Sequence, residues 1–485
     1  MPTASQTARR LAASTIVSMS VASQFAAAPA RAQTAPAAAP ADTGGSLLPK
    51  DFWTRDTLLG DMGGYRSMLE SHGLEIKVQE TDEVWGNVSG GIQKGAVYDG
   101  QTLLTVTLDT DKAFGWHGGT FNVSAMNIRG RNLSTDNLLV LQTNSGINAL
   151  ATTRFWEIWY QQSFLDDKMS VKIGQQSIDN EFMTSTGSAT FLNTMMGWPM
   201  IPSADLYAGG PAYPLSSLGV RLQAQPTDNL TLLTGVFQDN PPGGQFDNDS
   251  QLLGSTRWGG NFNLRTGALF ISEAQYTINQ PSEGQVVNPG ESQGYPGTYK
   301  LGFWIDTAAF PSQQFDNGGV SLASPDSNGI PAYYRNNFSI YAVADQVVWR
   351  PQEGPQELAL FARIMGAPGD RNLINFSTNA GATLKAPLPG RDDDVFGAGF
   401  GFTTLSGGAR NFDKAFNFYN GTFIPVRSSE TFVEITYQFK ATGWWTVQPD
   451  FQYFFTPGGG LQNPNNPSKS VGNAAVFGLR SVVTF

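Results

Sequence analysis

Sixteen segments of this chain alternate apolar and polar residues with a period of two, and most run 9 to 14 residues between turn-forming residues. They lie near 74–88, 101–110, 119–130, 154–163, 168–176, 218–226, 229–238, 266–278, 297–307, 336–349, 355–366, 374–385, 394–404, 429–440, 443–455 and 473–485. Period two gives each strand two chemically different faces. The length is what a tilted strand needs to cross a bilayer, and an even count near sixteen suits a closed antiparallel barrel. Connections alternate between short (163–168, 226–229) and long (176–218, 307–336). Short turns on one rim and long loops on the other give that asymmetry, which a soluble sandwich has no reason to show.

The hairpin 154–176 displays the pattern best. On its first arm Trp156, Ile158 and Tyr160 are expected on one face, with Phe155, Glu157, Trp159 and Gln161 on the other. On the second, Met169, Val171 and Ile173 oppose Lys168, Ser170, Lys172 and Gln176, and Asp166-Asp167 supplies the turn. The last strand ends on Phe485, with Val483, Leu479 and Phe477 on its face and Ser481 the lone polar member. An aromatic last residue after such alternation resembles the signal read by the outer-membrane barrel assembly machinery, the expected partner of Phe485.

Residues 1–32 read as a secretory signal peptide: Arg9 and Arg10, a small-residue apolar stretch, then Ala30-Arg31-Ala32 as the cleavage pattern. Residues 33–50 read as an Ala/Pro-rich disordered spacer, 51–73 as a short periplasmic helical segment and 74–485 as the barrel. Taking Arg9, Arg10 and Arg31 from the 30 basic residues leaves 27 against 40 acidic ones, a net −13 for the mature chain. That sign disfavours nucleic acid as a partner. The chain has no cysteine, so no disulfide framework or thiolate metal site is open to it. No stretch approaches the ~18 apolar residues of a transmembrane helix.

Longer stretches carry a family likeness. The run RFWEIWYQQSFLDDKMSVKIGQQSIDNEF at 154–182, FLNTMMGWP at 191–199 and GGPAYPLSSLGVRL at 209–222 resemble the carbohydrate-selective porins of the OprB type. So do GDMGGYRSMLESHG at 60–73, EVWGNVSGG at 83–91, ADQVVWR at 344–350, LFARIMGAP at 360–368 and WTVQPDFQYFFTPGG at 445–459. Met183, Thr446 and the Asn-rich insertions near 315–330 and 462–468 depart from the pattern, which touches loop structure and sugar preference more than fold. The resemblance implies an all-β fold: a sixteen-stranded antiparallel transmembrane β-barrel in the bacterial outer membrane, with a short N-terminal helical segment and an inward-folded constriction loop. It also implies passive passage of small neutral sugars such as glucose, with outer-membrane lipids around the wall and no cofactor. The resemblance further implies that Asp179, Glu181, Phe182 and Trp198 narrow the pore.

The residues themselves suggest the chemistry. A sugar channel needs flat apolar surfaces for pyranose rings and side chains that exchange hydrogen bonds with hydroxyls, holding the solute loosely enough to release it. Glu157 beside Trp159, with Lys172 on the next strand, supplies such a set; the bland alternative makes Trp159 a girdle residue and the charges mere solvation of a wet lumen. The connection 177–217, long and rich in aromatics, is the expected constriction loop, or else an external loop packed on its neighbours. Arg129, Arg221 and Arg363 sit in strands, where a lipid-facing charge near mid-bilayer costs about 2–4 kcal/mol, so all three are expected inside, facing Asp179 and Glu181. Glu434 and Asp345 are secondary lumen candidates.

Catalysis is not expected: His72 and His117 are the only histidines, and no nucleophile elbow accompanies them. The run Asp392-Asp393-Asp394 reads as a solvated loop before a calcium site, and Gly90-Gly91 and Gly407-Gly408 read as turns with no helix after them. Two other functions fit the same pattern: a general or cation-preferring porin, and a plugged structural or adhesive barrel.

Overall fold

A computed structural model describes residues 51–246, 258–260, 262–280, 294–421 and 423–485. The expected signal peptide and spacer lie outside them. Sixteen strands close into one antiparallel barrel, each pairing with its neighbour in sequence. They are β1 (Leu74–Gly91), β2 (Gly95–Asp109), β3 (Gly119–Gly130), β4 (Thr152–Phe164), β5 (Met169–Gln176), β6 (Ser217–Thr227), β7 (Leu230–Gln238) and β8 (Ala268–Ile278). Then come β9 (Gly297–Asp316), β10 (Pro331–Trp349), β11 (Glu357–Gly366), β12 (Ile374–Lys385), β13 (Val395–Leu405), β14 (Ser429–Lys440), β15 (Trp445–Phe455) and, after the minor hairpin β16 (Gln462–Asn463) and β17 (Asn466–Ser470), β18 (Gly472–Thr484). β18 pairs with both β15 and β1, in a register that sets Glu83 opposite Arg480, so the sheet has no open edge.

Every expected segment corresponds to one barrel strand. The largest differences are at β9, which runs on to Asp316, and at β2, which begins at Gly95; β9 and β10 form a long hairpin, where register shifts near Pro311 and Asn336 break the alternation. The short-turn rim carries the chain terminus. There the segment before β1, with its helix Tyr65–Ser71, clasps β18: Leu58 N donates to Thr484 O (2.7 Å) and Arg66 Nη2 to Phe485 O (3.0 Å). A second correction concerns Gly407 and Gly408. They begin a 14-residue helix, Gly407–Asn420, capped by Ser406 Oγ accepting from Ala409 N (3.2 Å) and stopped by left-handed Gly421.

Alternation holds along the wall with one interruption that matters. On most strands large apolar residues point outward, among them Leu301 (63% exposed), Ile340 (60%) and Phe477 (55%), while Glu83, Gln101, Glu273, Glu434 and Gln452 point in and are buried. In β4 the register slips by one residue against β3: Val123 faces Ile158, but Ala125 faces Phe155. This bulge turns the strand over. Arg154 and Trp156 are buried before it, Phe155 is exposed, and beyond it Glu157, Trp159 and Gln161 take the inner face. The expected grouping of Trp156 with Ile158, and of Phe155 with Glu157, is therefore wrong.

Two loops from the long-loop rim fold into the barrel, not one. Residues 131–151 and 177–216 pack against each other: Thr194 N donates to Thr143 O (3.0 Å), Gly146 N to Leu192 O (2.9 Å) and the Tyr213 hydroxyl to Ile147 O (2.9 Å). Their apolar side chains, including Leu141, Phe182, Met196, Trp198 and Ile201, meet Phe237, Phe361, Phe432 and Phe454 of the wall in one buried cluster. Each such side chain contributes about 1.5–3 kcal/mol on burial. Part of the expected wet interior is thus a second hydrophobic core.

Candidate functional site

Where β4, β5 and β6 run side by side, three inner-face residues meet the base of the loop 177–216. Lys172 Nζ makes a close ion pair with Glu181, and Arg221 Nε donates to Glu181 Oε2 (2.6 Å). The same guanidinium reaches Gln161 Oε1 (2.7 Å) and Ser170 Oγ (2.6 Å), so its planar donors are all directed. Register makes this convergence unavoidable: Gln161, Lys172 and Arg221 occupy one row across three strands. Lys172 Nζ also lies 4.6 Å from the centre of the Trp159 ring, over its face. The Trp159 Nε1 donor is buried and has no partner among the described residues. Burial alone would raise the Glu181 carboxyl, but Lys172 and Arg221 overrule it and hold it at about 2.

Glu157 and Asp179 act just behind this cluster, on the loop's own backbone. Glu157 Oε1 accepts from Ser177 N (3.0 Å), and Asp179 accepts from Ser177 Oγ (2.5 Å) and Tyr213 N (3.2 Å). Burial pushes the Asp179 carboxyl up to about 6 against the pull of those bonds. Neither carboxylate is free to exchange partners readily.

The remaining expected site residues are placed differently. Phe182 packs edge-on to Phe237, and Trp198 donates through Nε1 to Gly209 O (2.8 Å); both are 1% exposed, inside the loop core, and offer no face to the lumen. Arg363 is on the inner face as expected, yet it is spent on backbone: it donates to the carbonyls of Met183, Met195, Met196 and Gly197 and to Asn379 Oδ1, at 2.6–3.1 Å. Arg129 is on the outer face, with Glu80, Asp82 and Thr102. Parity misleads on β3 because its inner face carries Met126 and Ile128, which pack on Trp156 and Tyr213. There the apolar side is the inside.

Sequence reading missed Glu430 and Glu273 among the wall carboxylates that seat the loops, and gave Glu434 and Asp345 only as secondary lumen candidates. Glu430 accepts from Leu141 N (2.8 Å), Gln142 N (2.7 Å) and Gly458 N (2.6 Å). Glu434 takes Leu192 N (2.5 Å), Glu273 takes Met183 N (2.8 Å) and Asp345 takes Gly187 N (2.9 Å). The signal was available in part: acidic residues at inward parity, opposite a 21-residue connection at 131–151 as long-winded as the one at 177–216. In the aspartate run, Asp394 is committed to Arg391, Tyr437 and Lys440 N. Among the described residues no three His, Asp or Glu side chains converge as a metal site.

Known proteins share both the sequence and the fold. Residues 93–485 match the sequence profile of the carbohydrate-selective porin, OprB family. Porin B of Pseudomonas aeruginosa is 24% identical over 460 residues, covering 91% of this chain and 93% of that protein. The putative porin QuiX of Acinetobacter baylyi is 23% identical over 461 residues, covering 90% and 95%. The solved high-pH structure of Pseudomonas putida OprB superposes with a TM-score of 0.77 at 23% identity, covering 90% of this chain and all of that one. The barrel is an outer-membrane channel and not an enzyme. With the family profile spanning most of the chain, this protein belongs to the carbohydrate-selective porins of the OprB family.

Proposed function

We propose that small neutral sugars such as glucose diffuse through this barrel into the periplasm and pause at the cluster of Trp159, Lys172, Glu181, Arg221 and Gln161. The observation that carries the reading is the Trp159 indole: a half-buried ring on the inner face beside a charge cluster. The ring face suits the C–H face of a pyranose, while Glu181 accepts from and Lys172 donates to hydroxyls, and Arg221, whose donor nitrogens are all engaged, positions Glu181. Lys172 and Arg221 share the one carboxylate of Glu181, which leaves a single excess positive charge, so the station draws hydroxyl dipoles and grips an ion only weakly. Contact is therefore shallow and reversible, as a diffusion pathway requires.

Planar-bilayer conductance titrated with glucose, a disaccharide and an amino acid of glucose's size tests this. Saturable block by the sugars, with little effect of the amino acid, is the expected result. Conductance that no sugar blocks, with strong cation preference, would make the chain a general porin. A second reading, a plugged barrel, draws on the two loops that fill part of the interior; the absence of any conductance would establish it.

A further inference from the structure

The outer wall is not evenly filled. On β8 two small residues, Ser272 and Ala274, stand at consecutive outward positions between two large ones, Phe270 and Tyr276. Register widens the gap sideways. Thr234 of β7 lies beside Ser272, and Leu232 lies beside Ala274 with Ala224 of β6 beyond it. On the other flank β9 sets Phe303 against Ser272 and Leu301 against Ala274. The result is a recess of about 850 Å³ in the wall from β5 to β10, banked by Met169 and Leu222 on one side and by Phe303 and Ile340 on the other. That volume is in the range of cavities that hold small organic molecules.

The floor decides what belongs there. Its two hydroxyls are spent within the wall: Thr234 Oγ1 and Ser272 Oγ are 2.7 Å apart, and Thr234 Oγ1 also donates to Ile271 O (3.3 Å). Among the described lining residues none that faces outward is charged. Such a surface offers nothing to a headgroup, and an apolar hollow of this kind stays dry. Because it is part of the membrane-facing wall, it opens onto hydrocarbon. Towards the rim of the 228–229 turn, Tyr276 and Tyr299 stand side by side on β8 and β9, 49% and 41% exposed. Outward tyrosines mark a membrane interface, and short turns mark the periplasmic side. The six residues from Tyr276 to Phe270 cover about 20 Å of strand, or about 14 Å of depth at the usual tilt. One leaflet's share of the hydrocarbon core is about 15 Å. A lipid with its headgroup at the two rings would therefore lay a chain along the recess and end it at mid-membrane.

We propose that this recess seats one acyl chain of a glycerophospholipid from the periplasmic leaflet. Native mass spectrometry of the full chain in mild detergent, titrated with palmitoyl-oleoyl phosphatidylethanolamine and in parallel with lipid A, tests this. The unmodified protein is expected to take up one phospholipid that saturates before further additions appear. Ala274→Trp, which fills the recess with an indole, is expected to lose that adduct, and Leu360→Trp, outward on β11, to keep it. Ser272→Leu blocks the same space and keeps the test open if Ala274→Trp fails to fold. No saturable adduct on the unmodified protein, an adduct that persists in the recess variants, equal loss in Leu360→Trp, or a preference for lipid A would each overturn the proposal.

Discussion

Two stretches of the barrel interior hold the same loop by opposite means. Along β4–β6, Lys172 and Arg221 meet a charged loop side chain, Glu181, with an aromatic ring beside them, and only Glu157 takes loop backbone. Along β8–β15, charged side chains meet backbone: Glu273, Asp345 and Glu434 take loop N–H groups, and Arg363 takes four loop carbonyls. A backbone group buried without its partner costs about 1–3 kcal/mol, so the second wall cannot let go of its loop for a passing solute. Ion pairs with polar neighbours have alternatives, so the first wall can. Charge in a lumen is therefore a poor guide to binding until its partners are known.

The largest effect should come from breaking the backbone-holding wall. Arg363→Met would strand four carbonyls; a loss of more than ~3 kcal/mol is expected, seen as a lower temperature for the folded-to-unfolded shift on gels, with noisy, enlarged conductance. An unchanged transition would mean that the loop seats itself. On the other wall, Arg221→Ala should leave the fold intact. Loss of a charged hydrogen bond is worth about 1.5–3 kcal/mol, so sugar block should weaken roughly ten- to a hundred-fold while selectivity shifts towards cations. Trp159→Ala removes only the platform and the indole donor; block weaker by about two- to twelve-fold, with open-channel conductance equal or higher, is expected. Block at wild-type strength would remove Trp159 from the path.

The smallest effect sharpens the comparison through pH. Glu181 is depressed to about 2, so its contribution is present above its ordinary value and is lost only as pH falls through about 2. Asp179 is raised to about 6, so its stabilising contribution is present at low pH and is lost as pH rises through about 6. From pH 7.5 to 5 the sugar block should hold steady while the loop base firms slightly. A steep loss of block in that window would show that Glu181 is not held by Lys172 and Arg221.

Much of this architecture was legible because lipid enforces a period of two on every strand. Arg221 could be placed from Val220 and Leu222 on either side of it, both of which face out. Arg129 could not, because Met126 and Ile128 are apolar for the sake of the loop core and not for lipid. Phe182 and Trp198 were recognised as loop residues of the right kind, but whether an aromatic lines a pore or fills a core depends on what folds against it. The loop 131–151 has mostly polar and small residues, and its burial becomes sensible only once Glu430, Glu83 and Gln452 are seen beneath it. The helix at 407–420 was hidden by its opening glycines.

The slip between Ser124 and the Trp156-Glu157 step has a reach out of proportion to its size. It shifts the phase of a single strand, so that Trp156 seals a loop while Trp159, three positions on, faces the channel. Straightening the slip with every residue kept would carry the alternation of Arg154 and Trp156 onward and send Trp159 and Gln161 into the lipid, with Ile158 and Tyr160 rotated into the channel. The composition would not change, yet the candidate site would be inside out.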